Sequence, residues 1–188
     1  MKKVKIYVEK TSSDAIIPIY KHPNDAGFDL YTIEDIYIKA GETIIAKTGL
    51  KFAIPEGYEI QIRPRSGVSN KTALIIKNSP GTIDSGFRDE VGILLKHSGN
   101  GEAQNNNLFY YADISNNSLL NSAKIKEPSA FCSSDSLEKG LFHYFIPKHT
   151  RIAQGVLSEI PKAIFNEVDN VKDIGSNRGG GFGSTGLK

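Results

Sequence analysis

The sequence is poor in the residues that build disulfides, cysteine-rich metal sites and membrane spans. Its 188 residues include one cysteine, Cys132, and no tryptophan. A single cysteine excludes an internal disulfide and the cysteine-rich zinc site of the nucleobase deaminases. No run approaches the roughly 18 apolar residues that a membrane-spanning helix needs. The first residues alternate charged with apolar side chains, unlike a signal peptide. These absences predict a soluble, cytoplasmic protein with no membrane partner.

The chain also lacks an excess of either charge. It carries 23 Lys and Arg against 21 Asp and Glu, a formal net charge of +2, and the two signs are intermixed. Without a basic patch there is no electrostatic signature of nucleic-acid binding, so we expect no nucleic-acid partner. The hydrophobic content of 39% is enough for one domain with a substantial core.

Short β signals dominate the sequence. Val4, Ile6 and Val8 alternate with polar neighbours, and so do Ile60 and Ile62. Other compact runs contain β-branched residues and are separated by turns rich in Gly and Pro. No stretch of ten or more residues has a helical apolar stripe. Many short strands at regular spacing predict an all-β sandwich, jelly roll or barrel.

Two segments interrupt this rhythm. Residues 97–141 are rich in Asn and Ser, and a structureless loop of that length is improbable inside a compact domain. We therefore predict one domain over residues 1–166 with a surface insertion at about 97–141. The apolar run 108–111 within it is a candidate docking site for a protein partner. The glycine-rich end, residues 167–188, cannot build a core and is predicted to be a flexible arm.

Several short blocks have the composition of a phosphate-binding site. Asp84 and Phe87 lie on a glycine-flanked turn between two apolar runs, where the carboxylate can also serve simply to stabilise the turn. Arg65 and Ser66 follow a predicted strand and precede one short helical turn, an arrangement that suits an anion or an ordinary solvated turn. The glycine-rich end lacks the Gly-Lys-Ser/Thr of a Walker motif, so a P-loop is rejected.

Together and in this order, the blocks resemble the five motifs of the trimeric dUTPase family. The resemblance covers nearly the whole chain outside the insertion. The motifs are Ala26-Gly27-Phe28-Asp29-Leu30, Pro64-Arg65-Ser66-Gly67, Gly81-Thr82-Ile83-Asp84-Ser85-Gly86-Phe87, Arg151-Ile152-Ala153-Gln154 and Gly180-Gly181-Phe182-Gly183-Ser184-Thr185-Gly186.

The resemblance implies a jelly-roll-like β-barrel that forms a homotrimer, with the C-terminal arm exchanged between subunits and closing the active site. It implies Mg²⁺-dependent hydrolysis of dUTP to dUMP and pyrophosphate. That reaction keeps uracil out of DNA and supplies dUMP for thymidylate synthesis.

It also implies a role for each matched residue. Asp84 matches the general base that activates water, and Asp29 contacts Mg²⁺ through its water shell. Phe87 packs on deoxyribose and excludes a ribose 2′-hydroxyl. The residues expected to bind the rest of the substrate are Asn78, Gly81 and Ile83 for uracil, Arg65, Ser66, Gly67 and Gln154 for phosphates, and Arg178, Phe182, Gly183, Ser184 and Thr185 in the arm.

The chain departs from the family pattern at three points. Phe87 stands where tyrosine is usual, Asp89 stands where glycine is usual, and Arg178 lies four residues before Phe182 instead of five. Two alternatives stay open. The first is a dCTP deaminase, which shares the fold, although Gly67 stands where those enzymes have a second serine. The second is a dUTPase with an added regulatory role through its insertion.

Overall fold

The protein is almost entirely β. The computed structural model describes residues 2–99, 110–113, 118–121, 143–177 and 179. Within these ranges the elements are β1 (Tyr7–Lys10), β2 (Phe28–Tyr31), β3 (Ile36–Ile38), β4 (Thr43–Lys47), β5 (Leu50–Ala53), β6 (Tyr58–Arg63), α1 (Ser66–Lys71), β7 (Leu74–Ile76), β8 (Gly81–Ile83), β9 (Gly92–His97), β10 (Tyr110–Asp113), β11 (Ser118–Asn121), β12 (His143–Ile146), β13 (Arg151–Glu159) and a 3-10 turn (Val171–Asp173).

The described strands form four small sheets. Their orders are β2-β13-β6-β8, β4-β9-β7, β11-β10-β12-β3 and β1-β5. Neighbours pair antiparallel, except for the parallel pair of β10 and β12. The prediction of an all-β fold is confirmed, and the one α-helix in the described ranges falls where a short helical turn is expected.

Alternation of buried and exposed side chains explains why these segments are strands. In β6, Ile60 and Ile62 are 0% and 4% exposed while Gln61 between them is half-buried. The same pattern in β9 buries Ile93 and Leu95. Full burial of each such side chain contributes about 1.5–3 kcal/mol relative to leaving it in water. The core joins the sheets, so packing against it fixes the strands that carry the site.

The first strand begins later than the alternation of Val4, Ile6 and Val8 predicts. It starts at Tyr7, which pairs with Ala53, the last residue of β5. Beyond Ala53 the partner strand ends and the chain turns at Pro55, where Tyr58 donates its N–H to the Pro55 carbonyl. Residues before Tyr7 therefore have no strand opposite them in the register of this sheet.

The predicted insertion contributes two strands to the fold. Tyr110–Asp113 and Ser118–Asn121 pair with each other, and the first of them pairs with β12. The remainder of residues 100–142 lies outside the described residues. After β13 ends, residues 161–177 are all exposed. No helix in the part of the chain that the structure describes is long and apolar enough to cross a membrane.

Candidate functional site

A cavity of about 360 Å³ opens where β2, β13 and the connection from β6 to α1 meet. The central strand β13 sets its floor, because Gln154 pairs with Asp29 of β2 on one side and with Arg63 of β6 on the other. Five of the predicted site residues line this cavity: Asp29, Arg65, Ser66, Gly67 and Gln154. Residues from distant parts of the sequence thus converge on one polar pocket.

The cavity is organised around one carboxylate that holds two guanidinium groups. Asp29 Oδ1 accepts a hydrogen bond from Arg65 Nε at 2.7 Å, and Oδ2 accepts one from Arg151 Nη1 at 3.2 Å. The Arg65 Nη1 also donates to the Arg151 carbonyl at 3.1 Å. The side chains of Asp29 and Arg65 are only 21% and 24% exposed, so these charges interact with little screening by water. Two arginines fixed in this way suit an anionic ligand.

Gln154 lines the cavity, and the space that its side-chain amide occupies depends on the neighbouring Gly27. Its Nε2 donates to the Pro64 carbonyl at 2.8 Å. A Cβ atom on Gly27 would lie 2.7 Å from Gln154 Oε1, closer than such atoms approach one another. The absence of a side chain at residue 27 therefore leaves the space that the amide group occupies.

The segment from Arg63 to Gly67 changes from strand to helix at the cavity. Pro64 disfavours a helical conformation at Arg63, which is the last residue of β6. Arg65 is extended, with φ −92° and ψ 133°, and its carbonyl accepts the Ser69 N–H at 3.0 Å to begin α1. The hydroxyl of Ser66 and the backbone of Gly67 are brought to the cavity beside Arg65.

The predicted base and the predicted uracil pocket lie on a second part of the chain, the β8 strand and the turn after it. Gly81 is buried, and a Cβ atom there would lie 3.2 Å from Asn78 Nδ2 and 3.4 Å from the Ile62 Cβ. Asp84 is exposed and its carbonyl accepts the Phe87 N–H at 3.1 Å, which closes the turn. Phe87 is half-buried and packs against the core, so its ring has a fixed position.

The two parts are separate within this chain. Asn78, Asp84 and Phe87 are absent from the cavity lining. Asp84 directly follows Ile83, which pairs with Ile60. From Ile60 to the end of β6 at Arg63 is about 10 Å of strand, and Arg65 lies beyond that end. The carboxylate that should activate water is therefore remote from the groups that should hold phosphates in the same chain.

The side chains that line the cavity determine which kind of magnesium site the cavity fits. Within the described ranges, no three His, Cys, Asp or Glu side chains are grouped closely enough to hold a metal ion directly. Asp29 and Asp25 line the cavity, and both oxygens of Asp29 already accept hydrogen bonds from arginines. Magnesium commonly keeps several waters and takes its other ligands from substrate phosphates. The residues present fit an ion held in that way, and they do not fit a direct carboxylate cage.

Three charged residues that line the cavity, Lys21, Asp25 and Arg151, were not among the predicted site residues. Arg151 belongs to one of the motif blocks, yet its bond to Asp29 depends on the pairing of β13 with β2. Asp25 and Lys21 lie in a loop with no recognisable pattern of its own, and only the fold brings them to the cavity. The predicted arm residues Arg178, Phe182, Gly183, Ser184 and Thr185 lie outside the described residues.

The chain is similar to known proteins of one family. A family model described as dUTPase matches residues 13–104. The deoxyuridine 5'-triphosphate nucleotidohydrolase of Nautilia profundicola is 37% identical over 184 residues, covering 97% of this chain and 99% of the relative. The dUTPase of Staphylococcus bacteriophage 80alpha, solved with dUpNHpp, has a TM-score of 0.79 at 28% identity, covering 97% of this chain and 99% of that one.

A further solved structure is similar over a smaller part of the chain. A mutant dUTPase from phage phi11 of S. aureus, whose structure shows the coordination of a structural Mg(II) ion, has a TM-score of 0.68 at 28% identity, covering 89% of this chain and 98% of that chain. The fold is thus the β fold of dUTPases. With relatives matched over almost their full length, this chain belongs to the dUTPase family.

Proposed function

We propose that this dUTPase-family enzyme, a dUTP diphosphatase, hydrolyses dUTP to dUMP and pyrophosphate with Asp84 as general base. The observation that carries the proposal is the cavity in which Asp29 fixes Arg65 and Arg151 beside Ser66, Gly67 and Gln154. Such a set of cationic, hydroxyl and amide groups suits a polyphosphate. The near full-length relatives named deoxyuridine 5'-triphosphate nucleotidohydrolase support dUTP as the substrate.

In the proposed reaction Asp84 takes a proton from a water molecule, and the water oxygen forms a bond to the α-phosphorus. The bond from that phosphorus to the bridging oxygen breaks, and pyrophosphate leaves with the electron pair. An exposed carboxylate on a turn closed by the Phe87 N–H suits this role, because the backbone fixes the direction of attack while the oxygens stay accessible. Arg65, Ser66, Gly67 and Gln154 bind the phosphate oxygens.

Uracil is bound by Asn78 and by the backbone around Gly81 and Ile83. A Cβ atom at residue 81 would lie 3.2 Å from Asn78 Nδ2, so the glycine leaves the Asn78 amide its place beside the strand, which supports this assignment. Backbone donors and acceptors match uracil, and an unpaired polar group on cytosine would cost about 1–3 kcal/mol. Phe87 packs on the deoxyribose and excludes a ribose 2′-hydroxyl.

The complete site forms between protomers of a homotrimer. The separation of Asp84 from the cavity within one chain supports this arrangement, because the base of one protomer can reach the phosphates held by another. The exposed apolar side chains of the segment after β13, among them Ile164 and Phe165 at 87% and 93%, suit a segment that packs on a neighbouring protomer. We assign residues 1–166 to the domain and residues 167–188 to the exchanged arm, in which Arg178, Phe182, Gly183, Ser184 and Thr185 contact the substrate.

Magnesium accompanies the substrate in this scheme, and Asp29 contacts it through water. When bound, the ion neutralises part of the phosphate charge. The two oxygens of Asp29 can each accept a further hydrogen bond, so holding the arginines does not prevent this contact.

The insertion at about 97–141 is a candidate for an added protein-binding role. Its strand β10 pairs with β12, so the insertion is anchored to the folded domain. The phage 80alpha dUTPase, which controls transfer of virulence genes by a G protein-like mechanism, is a relative with a function beyond hydrolysis. Deleting residues 98–140 should leave hydrolysis intact and abolish capture of a partner.

The proposed function is tested with Mg²⁺ and, separately, dUTP, dCTP, dTTP and UTP, by measuring pyrophosphate and the nucleotide product. We expect turnover of dUTP alone. Asp84→Asn should lower kcat by about 10²–10⁴-fold while leaving the fold intact, because the side chain is exposed. Ammonia release from dCTP would identify the deaminase alternative, and full activity of Asp84→Asn would remove the proposed base.

A further inference from the structure

The phosphate cavity has one cationic side chain whose charge is not already paired within the described residues. Arg65 and Arg151 both donate to Asp29. Lys21 also lines the cavity, and it makes no hydrogen bond or ion pair with any residue in the described ranges. It belongs to none of the five motif blocks and is exposed.

Two contacts hold the segment around Lys21 in place. The ring of Tyr20 packs edge-on against Phe28, with ring centroids 5.7 Å apart and an interplanar angle of 87°. On the other side, the His22 N–H donates to Asp25 Oδ2 at 2.9 Å, and the Asp25 N–H donates to the His22 carbonyl at 3.1 Å. The backbone of Lys21 is therefore fixed between an aromatic contact and a closed turn, beside the strand that carries Asp29.

Lys21 determines the net charge of the residues that line the cavity. The charged side chains that line the cavity are Lys21, Arg65 and Arg151 against Asp25 and Asp29. The lining has one net positive charge with Lys21 and none without it. A cleft lined by positive charge raises the local concentration of anions, so Lys21 strengthens the attraction of the cavity for a polyphosphate.

We propose that Lys21 binds the β- and γ-phosphates of the substrate. This rests on the proposed function. Asp29 and Arg65 are largely buried, with side chains 21% and 24% exposed, whereas Lys21 is exposed. A ligand whose first phosphate contacts Arg65 can place its later phosphates at the exposed Lys21. Lysine acts there as a flexible point charge with three donors.

The test measures binding of four ligands to the full chain: dUpNHpp, dUMP, inorganic tripolyphosphate and inorganic pyrophosphate. Lys21→Ala should weaken dUpNHpp and tripolyphosphate about three- to tenfold, the range of one partly exposed charged contact. Binding of dUMP, which has only the α-phosphate, should change less than about twofold. Lys21→Arg should restore most of the affinity, and the difference between wild type and Lys21→Ala should shrink as salt is raised.

Lys3→Ala is the matched control, because Lys3 is exposed and lines neither this cavity nor the one beside it. It should bind all four ligands as the wild type does. Unchanged affinity of Lys21→Ala for both dUpNHpp and tripolyphosphate would overturn the proposal, as would an equal loss for dUMP. Failure of the wild type to hydrolyse dUTP would reject the proposed function separately, since tripolyphosphate binding does not depend on uracil recognition or turnover.

Discussion

Mixing two inactive variants should restore activity if the site is shared between protomers. Arg65 lines the cavity. Asp84 lies in the turn after β8, and in the same chain this turn is displaced from the cavity along strand β6. In the proposed site, Arg65→Ala removes a phosphate-binding group and Asp84→Asn removes the base. Each proposed homotrimer of one variant then lacks the same group at every site and should be nearly inactive.

The magnitude follows from the geometry. In a random one-to-one mixture, half of the protomers supply an intact turn and half supply an intact cavity. If each site takes these parts from two different protomers, about a quarter of the sites regain both. A site built within one chain would never contain both parts, because every chain carries one of the two substitutions.

The assay mixes the two variants under conditions that exchange subunits, returns them to buffer and measures pyrophosphate release from dUTP. Phe87→Ala mixed with Asp84→Asn is the matched control, since both substitutions fall in the same turn and no protomer then carries an intact one. That mixture should stay inactive. Recovery near zero for Arg65→Ala with Asp84→Asn, despite proven exchange, would refute the shared site.

Three further substitutions test the packing and electrostatics around the site. Asp29→Asn should lower the free energy of unfolding by about 1–3 kcal/mol in urea denaturation, because it removes the charge that holds two arginines. Gly155→Ala should cost about 1–3 kcal/mol in the same assay, because its Cβ would overlap the Phe28 ring. Lys148, through its hydrogen bond, holds the pKa of Asp14 below the ordinary 3.8, so the stability from this pair should be present above pH 3.8 and be lost as pH falls through the lowered pKa. Asp14→Asn should remove that part of the pH dependence of unfolding.

Matched controls separate these effects from general damage. Asp25 lines the same cavity but contacts no arginine, so Asp25→Asn should change the free energy of unfolding little. A loss equal to that of Asp29→Asn would contradict the explanation. A Cβ atom on Gly86 meets nothing within 4 Å, so Gly86→Ala should be tolerated. Asp169→Asn, at an exposed position after β13, should leave the acid unfolding curve unchanged.

The sequence alone determined the class of fold and the chemistry of the motifs. Alternating apolar residues such as Ile60 and Ile62 predict strands because burial of one face has a period of two, and the structure has β6 there. The sequence also predicted a short helical turn after Arg65 and Ser66, and the structure has α1 there. The resemblance that identified the family rests on such short ordered blocks.

Only the tertiary structure decided which of those residues meet. The pairing of β13 with β2 and β6 brings Arg151 and Gln154 to Asp29 and Pro64, and no local pattern encodes that register. The pairing of β8 with β6 also sets Asp84 apart from the cavity, although both belong to one predicted site. Lys21 reaches the phosphates in our proposal through the packing of Tyr20 on Phe28. Side-chain period is a local property of the backbone, whereas convergence on a cavity depends on long-range pairing, and that is why the sequence could determine the first and not the second.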